Sequence, residues 1–304
     1  MFRMQIQSKK KCIWYCSAAV SFLLFLLLNL WCDHLVNMQD AQQMAGRWSE
    51  KKDVAQISCF FSSKAEVTED TIQSFEYSLK NVLQEASITE TSENPSARLW
   101  VDAYSADGKI TLVNGRNTLD ANAIGIGGDF FLFHPLKLIT GSYFSGNDLM
   151  QDYCIIDQDA AWQLFGSNDV VGMTVYIGNV PHIVTGVVRR PQGRMEKAAG
   201  LTSTVVYVSY ETLETYGTSN GINHYEIVMP NPVDEFAYGK VKEGIGIDEK
   251  NVEIVENSRR YSLPNRMKTV LAFGTRSMNG KAIIYPYWEN LARGYEDIIA
   301  LLTV

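Results

Sequence analysis

Twenty-one consecutive residues, Cys12 to Cys32, contain no Asp, Glu, Lys, Arg or His. As an α-helix that run is about 32 Å long, the thickness of a bilayer's hydrocarbon core. No other stretch of the chain restricts the possible architectures as strongly, because it predicts a spanning helix. Arg3, Lys9, Lys10 and Lys11 precede it and Asp33 follows. The positive-inside tendency then places residues 1–11 in the cytoplasm as a basic tail, 12–32 in the membrane and the remainder outside the cytoplasm. Trp14, Tyr15 and Trp31 fall at the two interfaces, where amphipathic aromatics belong. A cleaved secretory signal is the competing reading. The run is longer than a usual signal core and no small-x-small site follows it, so an uncleaved single-pass anchor is expected. Leu30 and Trp31 stand where lipoprotein processing wants small residues, which leaves Cys32 as an interfacial residue.

The chain of 304 residues is 46% hydrophobic and 20% charged, ordinary globular material with enough length for one or two cores. Its net charge is −7; the first 34 residues contribute +3, leaving −10 on the exterior part. An acidic exterior is a poor surface for nucleic acid. Cys59 and Cys154 lie outside the anchor in apolar settings, ISCFF and DYCII. Both read as buried thiols, and a bridge between them requires the fold to bring them together.

Residues 33–52 hold helix formers and no Gly or Pro before Gly46, and are expected to carry the membrane helix outward as a stalk. A globular region follows over 53–285. VAQISCFF is a strand. TEDTIQSFEYSLKNVLQEA is an amphipathic helix with Thr68 as its N-cap. Asp107-Gly108 predicts a hairpin turn inside ARLWVDAYSADGKITLVNG, since that dipeptide supplies positive φ angles. YCIID is a buried strand; DQDAAWQLFG is a helix starting at Asp157 or Gln158 and stopped by Gly166; a second hairpin turns at Gly178-Asn179. A strand then enters a helix capped by Ser209, and strands at HYEIVM and NVEIVENS flank a helix over NPVDEFAYGKVKEGI. The class is α+β, without repeats or a low-complexity linker.

Within Ala123 to Val188 several spaced elements occur in a distinctive order: an apolar strand, an aromatic pair, Gly141-x-x-Phe144, a helix with Ala160 ending on Leu164-Phe165-Gly166, Val171-Gly172, and a hairpin closing on Val184-x-Gly186-Val187-Val188. This resembles the MacB-like periplasmic core domain of FtsX/MacB-type ABC transporter permeases. The resemblance implies an N-terminal transmembrane helix, an extracytoplasmic core of small mixed sheets and helices, and a stalk helix returning toward the membrane. It makes Gly141, Phe144, Leu164, Phe165, Gly166, Gly172 and Gly186 fold determinants: Gly166 reverses the chain after a helix, and Gly172 and Gly186 let backbone pack where a Cβ would crowd. In such permeases the returning helix leads into further spans. Those spans are not in this sequence, which on this reading is one part of a divided or shortened permease.

No motif argues for catalysis. His34, His134, His182 and His224 sit in unrelated local contexts without metal-ligand spacing, so no metal site is expected. GIGGDF lacks the order and βαβ setting of a dinucleotide loop and reads as a cluster of turn glycines, so no cofactor is expected. Asp148, Asp152, Asp157 and Asp159 lack calcium-loop order and read as caps and solvated turns. There is no Gly-x-Ser-x-Gly, P-loop or Ser-x-x-Lys. The basic segment Arg189 to Gly200 reads as an exposed loop between strands.

The final stretch, 286–304, places Trp288, Leu291, Tyr295 and Ile299 on one helical face. They are expected to pack on the outward stalk, with Glu289 and Arg293 paired i,i+4 on the polar face. The functional expectation is a non-catalytic extracytoplasmic part of an ABC permease that passes conformational change between membrane helices and an external substrate or partner. Its partners would be the membrane, an ABC ATP-binding subunit, a multispan permease chain and possible further copies of itself. A single-pass adaptor or sensor using the same domain for binding is the alternative.

Overall fold

The computed structural model describes residues 2–49, 53–89, 97–272 and 284–303. Helix α1 (Phe2–Asn37) contains the apolar run, and its stretch Trp14–Asn37 is long and apolar enough to cross a membrane. Phe22, Leu23, Phe25 and Leu30 stand exposed along it. The helix does not continue through the expected 33–52 stalk. It ends at Asn37, followed by a 3-10 turn (Asp40–Gln42) and the short helix α2 (Met44–Trp48). Glutamine side chains explain the stop: Gln39 Nε2 donates to the Leu35 carbonyl, while Gln56 Oε1 accepts from the Met44 N–H and its Nε2 donates to the Ala41 carbonyl. A carbonyl freed at the helix end is thus served by the connecting segment, and that segment is in turn tied to β1 by Gln56.

From there the elements follow as β1 (Val54–Phe61), α3 (Glu69–Glu85), β2 (Val101–Asn114), β3 (Asn117–Gly128), α4 (Phe130–Phe133), β4 (Leu138–Gly141), β5 (Tyr153–Asp157) and α5 (Gln158–Phe165). Then come β6 (Thr174–Ile177), β7 (Val180–Val188), α6 (Arg194–Ala198), β8 (Val205–Ser209), α7 (Tyr210–Tyr216) and β9 (Thr218–Ser219). The chain closes with β10 (His224–Pro230), α8 (Phe236–Gly244), β11 (Val252–Glu256), α9 (Leu263–Leu271) and α10 (Tyr287–Thr303). This is an α+β fold. Its strands are ordered β11-β1-β10-β2-β3-β8-β5-β7-β4, and β6 joins β7 to the far end of β2, closing a ring of strands. Among the described residues only β3·β8 and β5·β7 are parallel.

The Asp107-Gly108 turn does not form. Both residues lie inside β2, which pairs with β3 from Ala103↔Gly128 to Asn114↔Asn117 and turns at Gly115. Gly108 serves close approach instead: a Cβ there would sit 2.4 Å from the Thr218 carbonyl oxygen on β9. Likewise Gly125 and Gly127 of GIGGDF are strand residues, where a Cβ would strike Leu213 and the Tyr104 ring. The Gly178-Asn179 turn does form, with φ of 56° and 68° as a two-residue hairpin needs. Asp157 caps α5 by accepting from the Ala160 N–H at 2.8 Å, and Ser209 caps α7 by accepting from Thr212.

Two apolar clusters use opposite faces of the sheet. One gathers Ile57, Cys59, Tyr225, Ile227 and Met229 under α3, whose Ile72, Phe75, Leu79 and Leu83 are buried. Cys59 and Cys154 are both buried, free thiols. Burial pushes both up, Cys154 to about 12, so neither is a reactive thiolate near neutral pH. The other cluster joins Val101, Ala103, Phe130, Phe131, Phe144, Tyr207 and Val228 to Trp288 of α10.

The family-motif residues fall where the elements join. Leu164 and Phe144 are buried and Phe165 is partly so. Gly166 is the C-cap of α5 at φ 73°, and Gly141 combines φ 85° with a Cβ position 2.1 Å from the Thr185 carbonyl oxygen. Gly186 is crowded by the Ser142 carbonyl, but Gly172 is not crowded: its space is open and its φ of 81° is the reason for glycine.

Candidate functional site

The helix expected to return toward the membrane, α10, contacts α1, α6 and α9. Trp288 points into the second cluster, its ring 4.3 Å from that of His134, 5.3 Å from His224 and 5.7 Å from Phe130. Tyr295 is buried and Ile299 fully so, while Leu291 is half-buried. On the α6 side, Asn290 Nδ2 donates to the Ala199 carbonyl, and a Cβ on Gly294 would touch Met195. The basic segment 189–200 is therefore no plain exposed loop. It contains α6, a ledge for α10, and its Arg190 is paired with Asp159.

The expected polar face of α10 is interior. Glu289 is 1% exposed and Arg293 9%. Arg260, just beyond β11, grips Glu289 with both terminal nitrogens at 2.6 and 2.9 Å, and its Nε donates to Glu296 at 2.6 Å. Arg293 donates to Glu289 at 2.6 Å and to Glu253 of β11 at 2.7 Å, and its guanidinium lies 3.9 Å above the Tyr285 ring. Burial acts against charge on both arginines, but the surrounding carboxylates outweigh it and hold both above their ordinary range. A forked guanidinium with carboxylates on both edges fixes orientation as well as distance. Beside it, the Tyr261 hydroxyl donates to Gln39 at the outer end of α1. The end of the membrane-length helix, the β11 edge and α10 thus meet in one buried polar junction.

A second polar group lies on the same side of the sheet. Register puts Ser58, Glu226 and Ala103 in one row and Phe60, His224 and Ser105 in the next. His134, just after α4, reaches the same place, with Nε2 2.5 Å from Glu226 Oε1. His134 and His224 therefore do not sit in unrelated contexts. Burial pushes His224 down to about 4. Burial alone would raise Glu226, yet His134 and His224 outweigh it and hold the carboxyl below its usual range. One sequence signal was available: His224-x-Glu226 in a strand places both on one face. His134 is brought in only by the tertiary fold. For Arg260 and Glu289 there was no local signal, since 29 residues separate them.

Comparison with known proteins agrees with the motif reading. The family model of the MacB-like periplasmic core domain matches residues 38–254, well over half of the chain. Among curated relatives, the macrolide export ATP-binding/permease protein MacB of Pasteurella multocida (strain Pm70) is 32% identical over 81 residues, 26% of this chain and 12% of that protein. The MacB of Chromobacterium violaceum is 31% identical over 96 residues, 31% of this chain and 14% of that one. The matched part thus spans a small fraction of these relatives. Among solved structures, the periplasmic region of MacB from Actinobacillus actinomycetemcomitans aligns with a TM-score of 0.43 and 20% identity, covering 67% of this chain and 89% of that one. The chain belongs to the family of the MacB-like periplasmic core domain, a module of ABC transporter permeases.

Proposed function

We propose that the chain is the membrane-anchored, extracytoplasmic part of an ABC permease, with its N-terminus in the cytoplasm, and that it relays movement between membrane helices and the exterior domain without catalysis of its own. The observation that carries this reading is the buried junction: Gln39, Tyr261, Arg260, Glu289, Arg293 and Glu253 link the outer end of α1 to α10 and to the edge of the sheet. A displacement of either helix shifts a bidentate, desolvated ion pair. Such a pair holds one arrangement firmly and resists partial ones, which suits a shear or hinge movement. ATP hydrolysis would belong to a separate ATP-binding subunit, and the remaining spans to a multispan partner.

The test is affinity purification of the full chain from native membranes. The expected result is co-isolation of an ATP-binding subunit and a multispan protein, lost on replacing Leu291 and Tyr295 by Asp. Isolation of the folded chain without either partner, repeated in several mild detergents, favours the adaptor and overturns the transport reading.

A further inference from the structure

We propose that His134, His224 and Glu226 form a binding site for a divalent transition-metal ion, with Zn²⁺ the ion that best matches the donors. Two imidazole nitrogens and a carboxylate are a recognised zinc set. All three side chains are buried, and one ligand atom from each lies within 4.8 Å of the others. The independent observation is that His224 Nε2, on a fully buried ring, has no hydrogen-bond partner, and neither has the indole N–H of the adjoining Trp288. His134 Nε2 and Glu226 Oε1 meet each other at 2.5 Å. Burying an imidazole nitrogen unsatisfied beside a second imidazole and a carboxylate is costly, so this small volume points to a ligand.

The close pair does not serve His224. His134 Nε2 and Glu226 Oε1 are 2.5 Å apart. A tetrahedral ion with ligands near 2.0–2.1 Å would hold them about 3.3 Å apart, so binding opens that contact by less than an ångström. His224 Nε2 lies 3.7 Å from the other oxygen of the same carboxylate, Glu226 Oε2, so both imidazoles border Glu226. The other atoms of the ligands are oriented already: His224 Nδ1 lies 3.4 Å from Ser105 Oγ, and Glu226 Oε2 accepts from Ser58 Oγ at 3.2 Å. Such outer partners fix ligand orientation at metal sites.

The site also touches the junction. Ser58 Oγ accepts from Asn257 Nδ2 at 2.8 Å, and Asn257 Oδ1 accepts from Arg260 at 3.2 Å. An ion here would tie the segment after α4 to β10, and Trp288 of the first turn of α10 packs against both histidine rings.

The experiment is titration of the full chain in detergent micelles, after chelator treatment, with ZnCl₂ and with CoCl₂ as a spectroscopic probe. One equivalent of Zn²⁺, a tetrahedral cobalt spectrum and a higher melting temperature on loading are expected. H134N and E226Q should each weaken Zn²⁺ binding by more than about 100-fold, beyond the 10–100-fold typical of losing an outer partner. H182N, at a buried histidine bonded to Thr212 instead, should bind as wild type. A folded wild type that takes up neither ion overturns the proposal, as does equal uptake by a folded H134N/E226Q double variant. If those variants fail to fold, X-ray absorption of the zinc-loaded wild type decides: a nitrogen and oxygen shell supports the site, and a sulfur or all-oxygen shell overturns it.

Discussion

Glu289 shows how much a single side chain depends on its surroundings. It is 1% exposed and accepts from both Arg260 and Arg293. Replacing it by Ala leaves two buried guanidinium groups short of a partner. Breaking a buried pair on one side costs about 3–5 kcal/mol, so E289A should lower the denaturant midpoint by a corresponding amount with an unchanged slope. Glu76 gives a pH effect of definite sign. Partial burial, then Asp102, push it from 4.5 up to about 8. The folded state therefore keeps a proton that the unfolded chain releases. The associated stability is full below about pH 4.5 and is lost as pH rises to about 8. E76Q should flatten the melting-temperature profile across that window; an unchanged slope in the variant would show that other groups set it.

At the scale of elements, Gly166 and Gly141, two of the three positive-φ glycines of the family motif, separate two physical causes. Gly166 has open space around a Cβ position, so G166A should cost only conformational strain, about 1 kcal/mol. Gly141 carries the same strain plus a clash with the Thr185 carbonyl at 2.1 Å. G141A should therefore be several-fold more destabilising in thermal melts, and equal losses would refute the distinction. Most elements were legible locally: α3 from its apolar spacing and cap, α5 from Asp157 and Gly166, the β6–β7 hairpin from Gly178-Asn179. Asp107-Gly108 misled because turn propensity is local, whereas β2 gains a long partner in β3 and three further neighbours in β10, β9 and β6 by running straight through. The stalk misled for a similar reason, as Gln56 draws the chain after Asn37 back onto the domain.

Across the whole molecule, α10 behaves as part of the domain as well as an expected route to the membrane. Trp288 completes the second core, and Glu289 and Arg293 complete the junction. Removing residues 285–304 should expose Phe130, His134 and His224, lower the melting temperature and raise binding of a hydrophobic dye; a truncated chain that melts like wild type would show that α10 is not needed for the core. By itself the sequence determined the membrane-length helix and the α+β class, because these rest on run length, periodicity and turn chemistry within short windows, and it carried the family in the order of motif residues between Ala123 and Val188. Only the tertiary structure decided that Arg260 meets Glu289 and that His134 meets His224 and Glu226. Those meetings depend on strand order and on which residues face inward, and charged residues on an amphipathic helix read as solvent-facing until the element that covers them is known.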